Sequence, residues 1–552
     1  MCRQARRRYL SPIRLRRARC ALALLLLTAL ASGSAAAAPR ESFASGLAAR
    51  LAGDAPQVRI AGAVLWSTPF LREIYATPAA LWTPARLAAL RTEIARVADD
   101  GLDPSDYLVE LLDAASSVTP VERELLASEA LGRLAFTLHF GKANPAALDA
   151  DYNYSRSFGQ TDPAAWLKRA ITSDELAETL AALRPQGVYY ERLVAALAAY
   201  RQRAASGAWP TVPRGETLKP GMVDARVVAL RARLAASPHS APAESPADLP
   251  TRYDDALTDA VRAFQRRHGL LVDAAVGPRT LAALNAPIAA RIDALRINLE
   301  RLRWVFRDLS EAFVAVNIAA FRAVYVADGE LRWHARAIVG RPYRQTPVFR
   351  DAITYLELNP TWTVPPTILR KDILPRLRED AAYLAAKHLR VIDPNGGPVD
   401  STTIDWATVR ASTFPYLLRQ DPGPHNALGR IKFMFPNRHA VYLHDTPARD
   451  LFARAERVFS SGCIRIEKPL DLAIALLDEP ARWDRAALEA AIGSGRTQRL
   501  RLPRPVPIML LYLTAYADEN GMINFRHDVY GRDAAVLAAL DGPLRWAPPR
   551  PR

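Results

Sequence analysis

The chain has 552 residues, half of them hydrophobic, with 8% aromatic and 24% charged residues. That length suits three or four structural units with packed cores and excludes a largely disordered chain. The formal charge is +16; it is too diffuse for a nucleic-acid surface and suits an acidic polymer or an anionic membrane face.

Residues 1–20 carry eight arginines and no acidic residue; an apolar run from Ala21 to Leu30 and small residues through Ala38 follow. This is the pattern of an export signal, with cleavage expected near Ala36–Ala38. The apolar run is about half the ~20 residues a bilayer span needs, so a retained membrane tether is the weaker reading. Arg6-Arg7-Arg8-Tyr9-Leu10 loosely resembles a twin-arginine signal, and the choice of export route stays open. Removing residues 1–38 lowers the charge to +8 and takes away Cys2 and Cys20. The mature chain then keeps one cysteine, Cys463, which cannot form an internal disulfide. A lone exported thiol is either a buried small hydrophobe or a nucleophile, and its neighbours decide which.

Residues 39–215 read as a helical scaffold. Thr83-Pro84 is a helix start, and Leu87, Leu90, Ile94 and Val97 follow at helical spacing. Thr172 with Glu175 has capping-box spacing, and Tyr189 to Tyr200 continues a helical pattern. Tyr152 and Tyr154 are read as structural. Residues 217–290 form a small three-helix unit: Val227, Leu230 and Leu234 line one helix, Leu257, Val261 and Phe264 a second, Leu281 and Leu284 a third. A proline-rich loop, 237–250, separates the first two. Here "YDDALTDAVRAFQRRHGLLVDAAVGPRTLAALN" resembles the three-helix peptidoglycan-binding module, through Ala260-Val261, Phe264-Gln265, His268-Gly269-Leu270, Gly277 and Thr280-Leu281. The module's "DGxxG" is Asp273-Ala274-Ala275-Val276-Gly277, with one glycine replaced, so a stiffer loop is expected. The resemblance implies wall binding; a degenerate module that only positions its neighbours is the alternative.

Residues 291–310 read as an amphipathic connecting helix. Beyond it the pattern alternates and is rich in Val, Ile, Phe and Tyr, with turn signals at Asp328-Gly329 and Asn520-Gly521. Residues 311–533 are therefore expected to form a β-rich domain, which the resemblance given below implies is the catalytic one. Residues 366–420 interrupt it as helix and loop, expected to act as a lid, and 534–552 are a C-terminal tail. The fold class is multidomain α+β.

The chemistry concentrates in "AVYLHDTPARDLFARAERVFSSGCIRIEKP", residues 440–469. Gly462 before Cys463 permits unusual backbone angles, and Arg465 after it favours thiolate over thiol. His444 lies 19 residues before Cys463, at the end of a strand on which Tyr442 shares its face. It is the candidate base. Acyl transfer needs oxyanion donors, for which the backbone of Gly462 and Cys463 and the Tyr442 hydroxyl are candidates. Arg465 is the candidate cation for substrate carboxylates. Asp445 points away from this face and reads as a turn or salt-bridge residue. His334, His388 and His425 have no partners at ligand spacing, so no metal and no cofactor is expected.

"YLHDTP…SSGCIRIEKP" resembles the L,D-transpeptidase motif of a histidine followed by a Ser/Thr–x–Gly–Cys–x–Asn/Arg element. The likeness extends through "VGRPYRQTPVF" (339–349), "LNPTWTVPPTI" (358–368), "GPHNALGRIKFMFPN" (423–437) and "TAYADENGMINFRHDVYGRD" (514–533). The order of scaffold, binding module and catalytic domain resembles the large Gram-negative L,D-transpeptidases, which implies a periplasmic enzyme. By position the resemblance implies Cys463 as nucleophile, His444 as base, Tyr442 on the oxyanion side, Ser461 and Gly462 as motif residues, and Arg465 as motif cation. Ser460 is grouped with Ser461 and Arg465 as substrate-binding. Many relatives carry histidine directly before the glycine-cysteine pair; Ser461 stands there, so His444 carries the acid–base work alone. The implied reaction is attack on the third-residue carbonyl of a tetrapeptide stem, loss of D-alanine, and 3→3 cross-linking to a second stem. Peptidoglycan is the expected partner, with other cell-wall enzymes as further candidates. Water as acceptor gives an L,D-carboxypeptidase, and a protein lysine gives a lipoprotein-to-wall ligase or its reverse. A wall-binding scaffold with a dead site is the alternative from another class.

Overall fold

The computed structural model describes residues 37–113, 118–154, 156–207, 209–238, 250–307 and 309–545. The expected export signal up to residue 36, most of the proline-rich loop and residues 546–552 of the expected tail lie outside the described residues. Among the described residues no helix is long and apolar enough to cross a membrane.

The N-terminal region is helical. Thr83 caps Pro84–Arg96 by accepting the Arg86 N–H, and Leu90, Ile94 and Val97 are buried beneath it. The Thr172/Glu175 pair does not open a helix. Thr172 instead ends Pro163–Thr172, its hydroxyl donating back to the Lys168 carbonyl, a local bond that competes with capping. The capping box lies at Thr119 and Glu122, ahead of α1 (Pro120–Phe140), with both reciprocal bonds formed. α2 (Val188–Ala205) completes this layer. Tyr152 packs edge-on against Trp304 and Tyr154 is buried.

The three-helix unit comprises Arg226–Ala236, Asp255–Arg267 and Pro278–Leu284. Val227, Leu230, Leu234, Leu257, Val261, Phe264 and Leu284 form a core separate from the rest of the chain. Ala274 holds the place of the replaced glycine with φ of 61°, a conformation in which a Cβ costs roughly 1–2 kcal/mol. Its N–H donates to Gln265 Oε1 at 2.9 Å, which anchors the loop. The unit docks onto the catalytic domain, with His268 stacked on Phe525 and Arg526 donating to the Arg267 carbonyl.

The expected connecting helix is a central one. α3 (Ile288–Val305) is buried on nearly every side from Leu295 onward. It packs against α2 and against α4 (Asp533–Asp541), so the stretch expected as a tail contains a docked helix. Arg301 pairs with Asp533 and Arg296 with Asp541. Inside, Glu300 accepts the Ala143 N–H at 2.7 Å and both Arg303 and the Trp304 indole, with Arg303 and Glu300 fully buried. One continuous apolar core therefore runs through scaffold and catalytic sheet.

The catalytic sheet has nine strands: β1 (Ala312–Asn317), β2 (Arg322–Ala327), β3 (Glu330–Gly340), β4 (Arg350–Leu358), β5 (Ile431–Met434), β6 (Leu443–His444), β7 (Val458–Ser460), β8 (Ile464–Ile466) and β9 (Gln498–Leu511). Their order is β7-β3-β8-β6-β5-β4-β9-β1-β2, and β2 also pairs with β3, so the sheet closes on itself. Asp328 and Gly329 both take positive φ, the geometry of a tight β2–β3 hairpin. β6 and β8 are parallel, which requires the crossover that residues 445–463 supply.

The insertion between β4 and β5 is not helix and loop alone. Strands Trp362–Thr363, Leu417–Gln420 and Arg390–Ile392 form a small sheet with helical segments on it. Leu369, Ile373, Leu374, Leu377, Val391, Trp406 and Leu418 give it a core of its own. Short, separated segments and the non-local pairing hid this sheet from periodicity.

Replacing Glu300 with Ala leaves the buried Arg303 guanidinium unpaired, which is expected to destabilise the chain by about 3–5 kcal/mol in denaturant unfolding. A change near zero would mean that this buried intrahelical pair does not secure α3 against the scaffold.

Candidate active site

The register of β6 against β8 assembles the site. Leu443 faces Ile464 and His444 faces Arg465. Side chains alternate along a strand, so Leu443 and Ile464 point into the core, where both are fully buried. Tyr442, His444, Cys463 and Arg465 therefore share the opposite face. β5 extends the row, Lys432 facing His444, then Glu357 facing Lys432 and Arg499 facing Glu357. The result is a cross-strand ladder, Arg465–His444–Lys432–Glu357–Arg499, over an apolar layer of Phe433, Leu356 and Leu443.

Cys463 is half-buried at the turn into β8. The thiol lies against the Ala440 carbonyl at 3.8 Å; Tyr442, through its hydroxyl and backbone amide, and the positive charge of Lys432 and Arg465 all favour thiolate. Burial outweighs them and pushes the thiol above its ordinary value of 9.0. Lys432 Nζ sits 4.1 Å over the Tyr442 ring, and burial lowers its pKa. His444 is buried, and its Nδ1 lies 2.5 Å from the Asp445 carbonyl. A carbonyl only accepts, so Nδ1 carries the hydrogen and Nε2 keeps the free lone pair. Burial first, then the charges of Arg465 and Lys432, bring its pKa down to about 3, against the carbonyls of Asp445 and Leu428. The Tyr442 ring stands edge-on to it, centroids 5.7 Å apart. No hydrogen bond joins His444 to Cys463 among the described residues; the two are diagonal neighbours on adjoining strands, with Tyr442 beside both.

The turn before Cys463 is braced from several sides. Gly462 has φ of 119°, a region that favours glycine, while a Cβ there would meet nothing closer than 3.7 Å. The requirement is conformational rather than spatial. The Ser460 hydroxyl donates to the Cys463 carbonyl at 2.5 Å and accepts the Gly462 N–H at 3.1 Å. Two expectations change as a result. Ser460 is buried and serves the turn rather than substrate, and the Gly462 N–H is already engaged, so of the expected oxyanion donors the Cys463 N–H and the Tyr442 hydroxyl remain. Ser461 is exposed, and its oxygen accepts from Arg344 at 2.9 Å. Arg465 is half-buried, with an unpartnered Nε and no ion pair among the described residues. Asp445 accepts the Arg430 N–H and pairs with Arg449, as a structural residue does. His388 and His425, far apart in sequence, stack 4.2 Å apart in the insertion.

Sequence reasoning missed Lys432, Arg344 and Thr346. Lys432 was within reach of it, because "IKFMF" alternates and its lysine opposes the buried Ile431 and Phe433. Thr346 donates to the Gly462 carbonyl from more than a hundred residues away, and nothing local marks it.

A closed β-sheet with a cysteine at a braced glycine turn, beside a buried neutral histidine, is a framework for thiol acyl transfer. Residues 311–481 match the family described as "L,D-transpeptidase catalytic domain". Residues 69–197 match "Scaffold domain" and 223–284 match "Putative peptidoglycan binding domain". The chain thus carries an L,D-transpeptidase catalytic domain together with a scaffold and a peptidoglycan-binding domain. It is similar to a Haemophilus influenzae protein named "Putative L,D-transpeptidase", 36% identical over 245 residues, or 44% of this chain and 49% of that protein. The chain spans about half the length of that curated relative. Among solved structures, the L,D-transpeptidase of Xylanimonas cellulosilytica (residues 123–326) aligns over 54% of this chain and 98% of its own, at 15% identity and a TM-score of 0.18. The L,D-transpeptidase of Stackebrandtia nassauensis aligns over 55% and 96%, at 12% identity and a TM-score of 0.22. Scores this low add nothing to the fold described above.

Two pH dependences follow. Because burial holds Cys463 as a thiol, its alkylation by iodoacetamide is expected to keep rising with pH from neutrality through 9.0. A plateau near neutral pH would instead indicate a resting thiolate–imidazolium pair. His444 in the folded chain titrates below its ordinary 6.5, so on acidification the unfolded chain takes up this proton first. Its stabilising contribution is complete above 6.5 and is lost as the pH falls toward about 3. The drop in thermal midpoint between about pH 7 and about pH 5 is expected to shrink in His444→Asn; an unchanged drop would show that this ring is not responsible.

Proposed function

We propose that the chain is a periplasmic peptidoglycan L,D-transpeptidase that forms 3→3 cross-links through an acyl-enzyme on Cys463. The observation that carries this reading is the shared face: the Cys463 sulfur beside Tyr442 and Arg465, with Lys432 over the Tyr442 ring and a histidine of fixed tautomer on the adjoining strand.

In the resting site both partners are neutral. As the sulfur attacks, its proton passes to His444 Nε2, and the carbonyls of Asp445 and Leu428 favour the resulting imidazolium. The new bond joins Sγ to the carbonyl carbon of the third, diamino-acid residue of a tetrapeptide stem. The oxyanion so formed faces the Cys463 N–H and the Tyr442 hydroxyl; removing one such donor typically costs about 3–4 kcal/mol of barrier. The carbon–nitrogen bond to D-alanine breaks, and the imidazolium protonates the departing amine. The side-chain amine of a second stem then attacks the thioester, gives a proton to His444 and releases the thiol. Arg465 and Lys432 supply positive charge suited to the carboxylates of the stems. The binding domain docked beside the catalytic sheet supports peptidoglycan as the polymer engaged.

Incubation with tetrapeptide muropeptides followed by mass spectrometry tests this. Dimers lacking one D-alanine are expected. Tripeptide monomers alone would replace the reading with an L,D-carboxypeptidase, and transfer only to a protein lysine with a lipoprotein-to-wall ligase. Cys463→Ala is expected to abolish every product; full activity in that variant would remove the mechanism.

A further inference from the structure

Asp372 lies in the insertion, on the segment Leu369–Ile373, and Arg344 on the loop that follows β3. They form a bidentate pair, Nη1 with Oδ2 and Nη2 with Oδ1, the latter at 3.0 Å. The Arg344 side chain is 7% exposed and its Nε is buried without a hydrogen-bond partner, whereas the Asp372 side chain is 36% exposed. Arg344 Nη1 also donates to Ser461, two residues before the nucleophile. The two partners are thus unequally fixed. The Arg344 backbone is tied down: its N–H donates to the Arg341 carbonyl at 2.8 Å, and its own carbonyl packs so tightly on Gly340 that a Cβ there would lie 2.1 Å away. Asp372 has no side-chain hydrogen-bond partner other than Arg344 among the described residues, and it rides on an insertion with a separate core.

A guanidinium fork accepts any carboxylate of suitable geometry, so the receptor is Arg344 and the aspartate is a replaceable occupant. In the proposed reaction the terminal carboxylate of the donor stem lies one residue, roughly 3.8 Å of chain, beyond the scissile carbonyl. A cation bonded to Ser461 is placed for that group. We infer that Arg344 binds the terminal carboxylate of the donor stem, the one borne by the leaving residue, and that Asp372 occupies this site as a surrogate until substrate displaces it. The inference rests on Cys463 being the attacking group. It makes Arg344 a specificity residue for stems ending in a free carboxylate and the insertion a self-occupying lid.

The test compares a tetrapeptide substrate with the same peptide ending in a carboxamide, using the full-length enzyme. Arg344→Gln is expected to raise KM for the carboxylate form roughly ten- to hundredfold and to leave the carboxamide form unchanged. Asp372→Asn is expected to lower KM several-fold for the carboxylate form alone. Loss that is equal on both substrates would overturn the inference. A second measurement does not need turnover: the ratio of Cys463 alkylation by iodoacetate to that by iodoacetamide, read by mass spectrometry. This ratio is expected to rise several-fold in Asp372→Asn and to fall in Arg344→Gln, and an unchanged ratio in both would overturn the inference. If the ratio shifts as expected while neither peptide is cross-linked, the Arg344 site stands and the proposed reaction fails.

Discussion

Thr346 closes the turn that carries Cys463, donating its hydroxyl to the Gly462 carbonyl while accepting the Gly340 N–H at 2.9 Å. That bond ties the turn to the end of β3, beside the ladder that the strand register assembles. The Tyr530 hydroxyl doubles the brace, accepting the Thr346 N–H and donating to the Gly340 carbonyl. Tyr512 accepts the Tyr530 N–H and donates to Asp528, which anchors the brace in the C-terminal segment. The glycine turn is thereby fixed between the end of β3 and the segment around Tyr512–Tyr530, so in the proposed reaction the sulfur would need little reorganisation. The scaffold reaches the same brace through Asp149, which pairs with Arg532, itself bonded to Gln345.

Charge and burial act against each other at this site. Lys432 and Arg465 both favour a thiolate, and both make an imidazolium less favourable. Burial keeps the thiol and the imidazole neutral at once. A neutral resting pair keeps the Cys463 thiol less reactive toward oxidants and adventitious electrophiles, since the thiolate is the reactive form.

Much of this was legible in the sequence, and the boundary is physical. Cys463 stood out because the other two cysteines, Cys2 and Cys20, fall within the stretch expected to be an export signal. The alternation of "AVYLH" put Tyr442 and His444 on one face, which the β6–β8 register reproduces. Local turn chemistry located the Asp328-Gly329 and Asn520-Gly521 hairpins. What escaped was set by contacts between distant residues. The ladder from Arg465 to Arg499 needs the pairing of five strands, Thr346 reaches its partner across the fold, and α3 reads as amphipathic although the scaffold and α4 cover its polar side. Ser460 looked available beside Ser461, yet its hydroxyl had a nearer partner in its own turn.

The insertion between β4 and β5 has an apolar core that, among the described residues, it shares with no other part of the chain. Its residues can therefore be replaced wholesale without repacking the closed sheet beneath. In evolutionary terms this separate core can change in size without disturbing the sheet, so long as the Asp372–Arg344 pair and the Leu428 carbonyl at His444 are kept, while the turn, the ladder and the brace around Cys463 remain under separate selection.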